Sequence, residues 1–354
     1  MPSMTLALPI LQDQPMRPAF AQGPASLASV RLLRLSITDR CNLRCLYCMP
    51  EEGVPFFNRH DVLSTSDLLA VVRAARAVGV DHFKITGGEP TVRHDLPEIT
   101  RGIKALKPRD LSLTTNGLLL ERQAKQLRAA GLDRLTVSLD TLDPHRFNKI
   151  TRFRGGRGDG LADGLTKVLH GIEAAESAGF KKLKLNMVVI GGMNDDEVVD
   201  FARLTLDHPW TVRFIEYMPL GEATLTDDVD HHTVDNAILR KRIERQWGPL
   251  TSPPRQTEAG VGPAEVFTLP GAAGRIGFIS AMSQPFCESC NRLRLTARGE
   301  LRSCLFDGGE VDLLPALKPR PDEPRIIDLM RACVSLKPEV HSSRGNRAMS
   351  QMGG

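Results

Sequence analysis

No apolar run in this sequence approaches the length needed to cross a bilayer, so it offers no membrane-spanning helix. Charge of one sign is nearly absent as a surplus: 46 basic against 42 acidic residues leave +4 over 354 positions. That balance does not argue for a nucleic-acid partner, though clustered arginines would still suit a small anionic substrate. The cysteine density of a disulfide scaffold is missing as well, since seven cysteines, an odd number, are spread over a long chain. A secretory leader is not expected either. The apolar stretch Leu6–Leu11 is short, holds a proline and follows no basic segment. These absences point to a cytoplasmic globular protein with enough apolar residues, 41 %, for a large core.

From Val30 onward, strand and helix patterns alternate. VRLLRLSIT, HFKIT, DLSLTTN, RLTVSLD, KKLKLNMVVI and TVRFIEYM read as six strands. Between them lie helical patterns. Leu68, Leu69, Val72, Ala75 and Val78 recur at helical spacing, LPEITRGIKAL follows, then LLLERQAKQLRAAG closed by Gly131, and a helix over 164–179. NDDEVVDFARLTL opens with Asn194 as N-cap candidate and acidic first-turn residues. Such alternation predicts a parallel sheet with right-handed crossovers and helices outside. Six units fall short of the eight of a closed barrel, so the α/β fold expected is a partial (β/α)6, TIM-like barrel. The loops at strand C-termini carry the chemistry in such folds, and every unusual motif here sits at one.

Residues 1–29 are expected to form a flexible extension, 30–235 the barrel, 236–337 a second domain and 338–354 a mobile tail ending in Gly-Gly. Two stretches interrupt the pattern: a Gly/Arg-rich loop from Arg152 to Gly164, and an acidic connector from Gly221 to His232.

Six of the cysteines form two distant triads. Cys41, Cys45 and Cys48 give C-x3-C-x2-C directly after the first strand. Three thiolates can hold a 4Fe-4S cluster and leave one iron open for chemistry. A structural zinc ion needs four ligands, and no nearby histidine is spaced to supply the fourth. Gly87-Gly88-Glu89-Pro90 ends the next strand, where glycines permit close backbone approach and a carboxylate can balance an ammonium.

Cys287, Cys290 and Cys304 give C-x2-C-x13-C, a more serious zinc half-site, for which Cys333 is the one other candidate ligand. Cys333, however, falls in register with Ile326 and Met330 on an apolar helix face, where a cysteine is usually core. A second 4Fe-4S cluster, carried by a C-terminal auxiliary iron–sulfur domain, is the expectation. Arg292 and Arg294 follow at strand spacing and share a face. They suit a phosphate-bearing substrate, or alternatively form a solvated basic edge strand.

The first triad, with an aromatic residue before its last cysteine, resembles the radical S-adenosylmethionine superfamily. F-C-x2-C-x-R-x-R-L followed by C-L-F then narrows the resemblance to the GTP 3′,8-cyclase family of molybdenum cofactor biosynthesis, over about Val30 to Gly354. Thr114-Thr115-Asn116-Gly117, Ser138-Leu139-Asp140, Phe214-Ile215-Glu216-Tyr217-Met218 and the terminal Gly353-Gly354 belong to the match.

The resemblance implies two 4Fe-4S clusters and S-adenosylmethionine. Cys41, Cys45 and Cys48 then bind the cluster that holds S-adenosylmethionine, with Tyr47, Gly88, Ser138 and Met218 at that cofactor. Cys287, Cys290 and Cys304 bind the auxiliary cluster, whose open iron faces guanine. Arg34, Lys84, Thr115, Lys184, Arg292 and Arg294 contact GTP; Lys84 stands where the family often has arginine, keeping the charge and losing the fork. Gly353 and Gly354 are implied to enter the active site and, with Arg292 and Arg294, to support turnover. Arg344 and Arg347, just upstream, are placed to meet acidic groups or phosphates. Neither the Arg152–Gly164 loop nor the N-terminus is expected to touch a matched motif. The implied partners are GTP, an external one-electron donor and a downstream pterin-forming cyclase, with no nucleic acid or membrane; a homodimer is left open. Rival readings are another radical enzyme with an auxiliary cluster, such as a peptide maturase, and a non-catalytic iron–sulfur carrier or zinc-stabilised binding module.

Overall fold

The computed structural model describes residues 24–155, 163–221, 225, 229–253, 261–307, 310–345 and 347–353. Most of the N-terminal extension, the centre of the Gly/Arg-rich loop, much of the acidic connector and Gly354 lie outside the described residues.

The six expected strands are present: β1 (Leu32–Ser36), β2 (His82–Thr86), β3 (Asp110–Thr115), β4 (Arg134–Ser138), β5 (Leu183–Val189) and β6 (Thr211–Glu216). Consecutive strands pair in parallel. The helices between them are α1 (Thr65–Ala77), α2 (Leu96–Ala105), α3 (Leu120–Ala129), α4 (Pro144–Thr151), α5 (Asp163–Ser177) and α6 (Val198–Asp207). Strand alternation divides the residues cleanly. Leu33, Leu35, Phe83, Ile85, Leu111, Leu113, Leu135 and Val137 are fully buried in the core cluster, while Arg34, Lys84, Ser112 and Lys184, of opposite parity, line the central cavity.

Two local expectations change. Asn194 does not cap α6. Its Oδ1 accepts from the Ile190 N–H at 2.7 Å, and its Nδ2 donates to the Asp140 and Val188 carbonyls at 2.8 and 2.9 Å. The side chain is consumed in joining two strand ends, and the helix starts four residues later. The short helix α4 carries only Phe147 and Ile150 as buried apolar residues, too few for a periodic signal. Asp143 caps it by accepting from the Arg146 N–H.

After α7 (Val229–His232) and α8 (Asn236–Trp247) come β7 (Glu265–Phe267), β8 (Arg275–Ile279), β9 (Arg292–Leu295), β10 (Glu300–Arg302) and β11 (Glu310–Asp312). They form no separate sheet. β8 adds in parallel to β6 and β9 in parallel to β1, so one sheet runs β11-β10-β9-β1-β2-β3-β4-β5-β6-β8-β7. The short helix α9 (Leu314–Leu317) follows, then α10 (Glu323–Ser335), which buries Cys333 beside Ile326 and Met330 as expected. The tail folds back instead of trailing away. Gly345 bridges Leu220, and α11 (Met349–Met352) buries Met352 against Leu220 and Phe306. Among the described residues no helix is long and apolar enough to cross a membrane.

Candidate active site

Register builds the floor of the site. Arg294 pairs with Arg34, Arg34 with Lys84, Lys84 with Ser112, and Ser112 with Arg134, a cross-strand row on the cavity face. Like charges on neighbouring strands repel, so the Arg294, Arg34 and Lys84 run costs stability and makes this wall a candidate anion site, while Arg134 is paired with Asp110. Burial, then the charges of Arg294, Arg292 and Arg213, hold Arg34 well below the usual arginine range. Burial, then Arg213 and Arg34, do the same to Lys84. Burial and Arg292 bring Arg294 down to about 10. Arg213 of β6 and Lys184 complete the basic wall. Gly277 on β8 makes room for Arg213, since a Cβ there would lie 3.0 Å from the Arg213 Cγ. Arg34 Nε, Thr114 Oγ1 and Asn186 Oδ1 are buried without a hydrogen-bond partner, as expected of a cradle built for a polar ligand.

The first cysteine loop leaves β1 at one end of this cavity. Gly87 and Gly88 pack against its base: a Cβ on Gly88 would lie 2.5 Å from the Asp39 and Arg40 carbonyl oxygens. The Gly88 N–H donates to Thr38 O at 2.7 Å and the Glu89 N–H to Arg40 O at 2.8 Å. Glu89 serves its own loop, accepting from Thr91 N and Oγ1, Thr115 Oγ1 and Asn116 N. Burial pushes its carboxyl up, against the pull of those bonds.

Across the cavity, the Tyr47 hydroxyl donates to Asp140 Oδ2 at 2.7 Å, and Asp140 Oδ1 accepts from the Val188 N–H at 2.9 Å. Burial raises the Asp140 carboxyl to about 6 in spite of both bonds. The loop is also strapped from outside by α4. The Arg44 and Leu46 N–H groups donate to Thr151 O and Ile150 O at 2.9 Å each. Arg152, left-handed at φ 49°, donates from its guanidinium to the Arg44 and Met49 carbonyls at 3.3 Å. The beginning of the Arg152–Gly164 stretch therefore does touch the cysteine motif, contrary to expectation.

The second triad lines the same cavity. Glu216, at the end of β6, accepts from the Met282 and Ser283 N–H groups at 2.8 and 2.9 Å and from the Ser283 hydroxyl, holding the turn ahead of Cys287. Arg292 stacks over Phe286 at 4.8 Å and donates to Cys290 Sγ at 3.5 Å. Burial works to raise the Cys290 thiol, but Arg292 and Lys337 outweigh it and bring it to about 7. β9 lies inside the sheet between β1 and β10, so Arg292 and Arg294 are not on a solvated edge.

The tail reaches the basic row. The Gly353 carbonyl accepts from Thr86 Oγ1 at 3.1 Å and Arg294 at 3.4 Å. Arg347 meets acidic groups as anticipated, Glu300 at 2.5 Å and Glu310 at 2.8 Å.

Of the residues singled out from sequence, Arg34, Tyr47, Lys84, Ser138, Lys184, Met218, Cys287, Cys290, Arg292, Arg294 and Cys304 line one cavity. Thr115, Gly88, Gly353 and the first triad, Cys41, Cys45 and Cys48, do not, although Tyr47 of that cysteine loop does. The Thr115 hydroxyl is spent on Glu89, and its neighbour Thr114 faces the cavity instead. Arg213, Asn186 and Asp110 went unnoticed; nothing in their own strands marks them as site residues, and only register reveals their company.

Both triads suit iron–sulfur clusters. All six thiols are free and partly exposed; three thiolates leave one iron of a cubane open, and the second triad faces the cavity directly while the first borders it through Tyr47.

Fold and site define a radical S-adenosylmethionine enzyme. Residues 35–205 match the Radical SAM superfamily and 210–343 match Molybdenum Cofactor Synthesis C. Streptococcus suis SuiB, solved with S-adenosylmethionine bound, shares the fold at TM-score 0.56 and 15 % identity, over 91 % of this chain and 77 % of that one. The GTP 3′,8-cyclase of Pelotomaculum thermopropionicum is 45 % identical over 92 % of this chain and 98 % of its own. That of Geobacter sulfurreducens is 45 % identical over 91 % and 94 %, and that of Nostoc punctiforme 43 % over 92 % and 99 %. The chain belongs to the GTP 3′,8-cyclase family.

Proposed function

We infer that this chain converts GTP to (8S)-3′,8-cyclo-7,8-dihydroguanosine 5′-triphosphate, the opening step of molybdenum cofactor biosynthesis. One observation carries the reading: the first cysteine loop borders the cavity through Tyr47, the second triad lines the same cavity, and buried cations line its wall. Cys41, Cys45 and Cys48 would hold the 4Fe-4S cluster that binds S-adenosylmethionine, and Cys287, Cys290 and Cys304 the auxiliary 4Fe-4S cluster. When bound, the cofactor pair supplies a carbon-centred radical through one-electron cleavage of the sulfonium C–S bond.

The chain's own contribution is positioning. Arg34, Lys84, Lys184, Arg213, Arg292 and Arg294 would take the triphosphate, whose charge offsets the mutual repulsion of the row. Tyr47, Ser138 and Met218 border the S-adenosylmethionine end, with Gly88 beneath them in the loop base. Thr115 would act on substrate only through the Glu89 loop that it braces. Gly353, and Gly354 beyond it, would close the cavity over ribose and exclude water while the C3′–C8 bond forms. The electron comes from an external donor, and the product passes to a pterin-forming cyclase.

The test is anaerobic incubation of reconstituted protein with S-adenosylmethionine and dithionite, with and without GTP. GTP-dependent 5′-deoxyadenosine together with cyclised nucleotide is expected, from protein carrying about eight irons. Zinc with about four irons, or cleavage indifferent to GTP, would overturn it.

A further inference from the structure

We propose that the outer side of the first cysteine loop is a docking surface for an acidic, low-potential one-electron carrier protein, formed by Arg40, Arg59 and Arg298. The proposal rests on the function above, which requires an electron from outside the chain.

The cavity side of the Cys41–Cys48 loop is given over to Tyr47 and the basic row. On its outer side lies the segment Phe56–Asp61, tied to the loop by Asp39, whose carboxylate accepts from the Phe57 N–H at 2.6 Å. Three guanidiniums are held on its rings, one of them that of the partly buried Arg44, 5.2 Å from the Phe56 centroid. Arg40 sits 5.7 Å from the Phe56 centroid and donates to Phe57 O at 3.3 Å; Arg298, from the β9–β10 turn, sits 4.9 Å from the Phe57 centroid. Leu63 N–H donates to Ala297 O at 2.8 Å, which keeps that turn against the segment. Arg59 follows two residues after Phe57. Arg40, Arg59 and Arg298 are exposed, and among the described residues none of them makes an ion pair.

Some exposed arginines elsewhere are paired, Arg73 with Glu323, Arg154 with Glu51 and Arg331 with Asp328; Arg101, Arg122 and Arg203 are exposed without an ion pair among the described residues, but unlike Arg40 and Arg298 they are not held over an aromatic ring. The carboxylates near the patch are already engaged, Asp39 by Phe57, Asp61 by Asn58 and His60, and Glu51 by Arg154. Arg40 and Arg59 also line a groove whose other cations, Arg93 and Lys318, are bound by Asp95 and Asp67. Asp39 and Asp61 keep their charge, but Arg40, Arg44, Arg59 and Arg298 outnumber them, so the balance beside residue 41 is positive.

Stacking on aromatic faces holds a guanidinium forward at small entropic cost. Unpaired like charges steer an oppositely charged partner, and the effect weakens as salt rises. In the step proposed, the carrier's redox group loses one electron and the cluster beside Arg40 gains it, with no bond made or broken.

The experiment uses reconstituted holoenzyme and a reduced plant-type ferredoxin as probe, following cluster bleaching by stopped flow. Arg40→Glu/Arg59→Glu/Arg298→Glu is compared with Arg59→Glu/Arg298→Glu, which leaves the residue beside Cys41 untouched. The control is Arg101→Glu/Arg122→Glu/Arg203→Glu, exposed positions on α2, α3 and α6. Half-saturation by ferredoxin is expected to weaken on the order of tenfold in both patch variants and to lose its salt dependence, with dithionite bleaching unchanged. An unchanged ferredoxin response, an equal loss in the control, or a parallel loss with dithionite would overturn the proposal. Normal bleaching without 5′-deoxyadenosine would instead count against the assigned function.

Discussion

Gly353→Ala tests whether the docked tail serves the site. Gly353 is buried at φ 73°, and a Cβ there would lie 2.6 Å from Ser36 Cβ and 2.9 Å from Thr86 Oγ1. Those residues face each other across β1 and β2, inside the sheet, and cannot retreat. A left-handed alanine costs about 1–2 kcal/mol, and overpacking adds about 1–3 kcal/mol. A total of roughly 2–5 kcal/mol lowers the docked-to-undocked ratio by about thirtyfold to several thousandfold. Releasing a terminal segment leaves the barrel intact, so melting, iron content and GTP affinity are expected to stay close to those of the unmodified protein. Backbone hydrogen exchange over 347–353 should accelerate by that factor, up to the point where the tail is fully released, and the yield of cyclised nucleotide should fall with it. Unchanged exchange would refute the steric reasoning. Fast exchange with full yield would refute the tail's role in turnover. Deleting Gly353 and Gly354 should reproduce the loss of product.

Cys45→Ala should abolish S-adenosylmethionine cleavage, whereas Cys333→Ala should keep both clusters and lose about 1 kcal/mol in denaturant melts, the cost of a small core deletion. Arg152→Ala removes two guanidinium bonds from the cysteine loop and should cost about 1–3 kcal/mol of loop stability, read as faster cluster loss to a chelator; Arg152→Lys should recover it only in part. For Asp140 the sign follows from a carboxyl raised in the folded state from 3.8 to about 6. The folded chain binds the proton more tightly, so this carboxyl's contribution to stability is fully present below about pH 4 and falls by about 3 kcal/mol as pH rises through and beyond 6. Melts of metal-free protein should show that decline, and Asp140→Asn should flatten it.

Much of this was legible in sequence because the barrel strands obey a period of two. Leu33, Leu35, Phe83 and Ile85 announce the face that packs on helices, and motif residues mark the strand ends. Where chemistry depends on pairing between distant segments, the signal runs out. Arg213 reads as an ordinary strand charge until Gly277 is seen to make room for it. Asn194 has the composition of a cap, but two local hydrogen bonds to the end of β5 and one long-range bond to Asp140 outbid the helix terminus. Helix α4 has too short an apolar face to be periodic, yet its C-terminus straps the cysteine loop. The segment after Asn236 looks like a separate domain because parallel pairing with β1 and β6 leaves no local trace.

That pairing explains how two distant triads can serve one substrate. β9 carries Arg292 and Arg294 and pairs with β1, which runs directly into Cys41. β8 pairs with β6 and leads to the turn that Glu216 holds ahead of Cys287. The spacing between the two cysteine loops is therefore set by backbone hydrogen bonds at both edges of the barrel. A slip of one residue between β9 and β1 would turn Arg292 and Arg294 out of the cavity and bring Leu293 and Leu295 in. Leu293 and Leu295 are buried in the core on the opposite face, so their burial opposes the slip. The apolar residues that stabilise β9 thereby hold in place the two arginines whose mutual repulsion works against it.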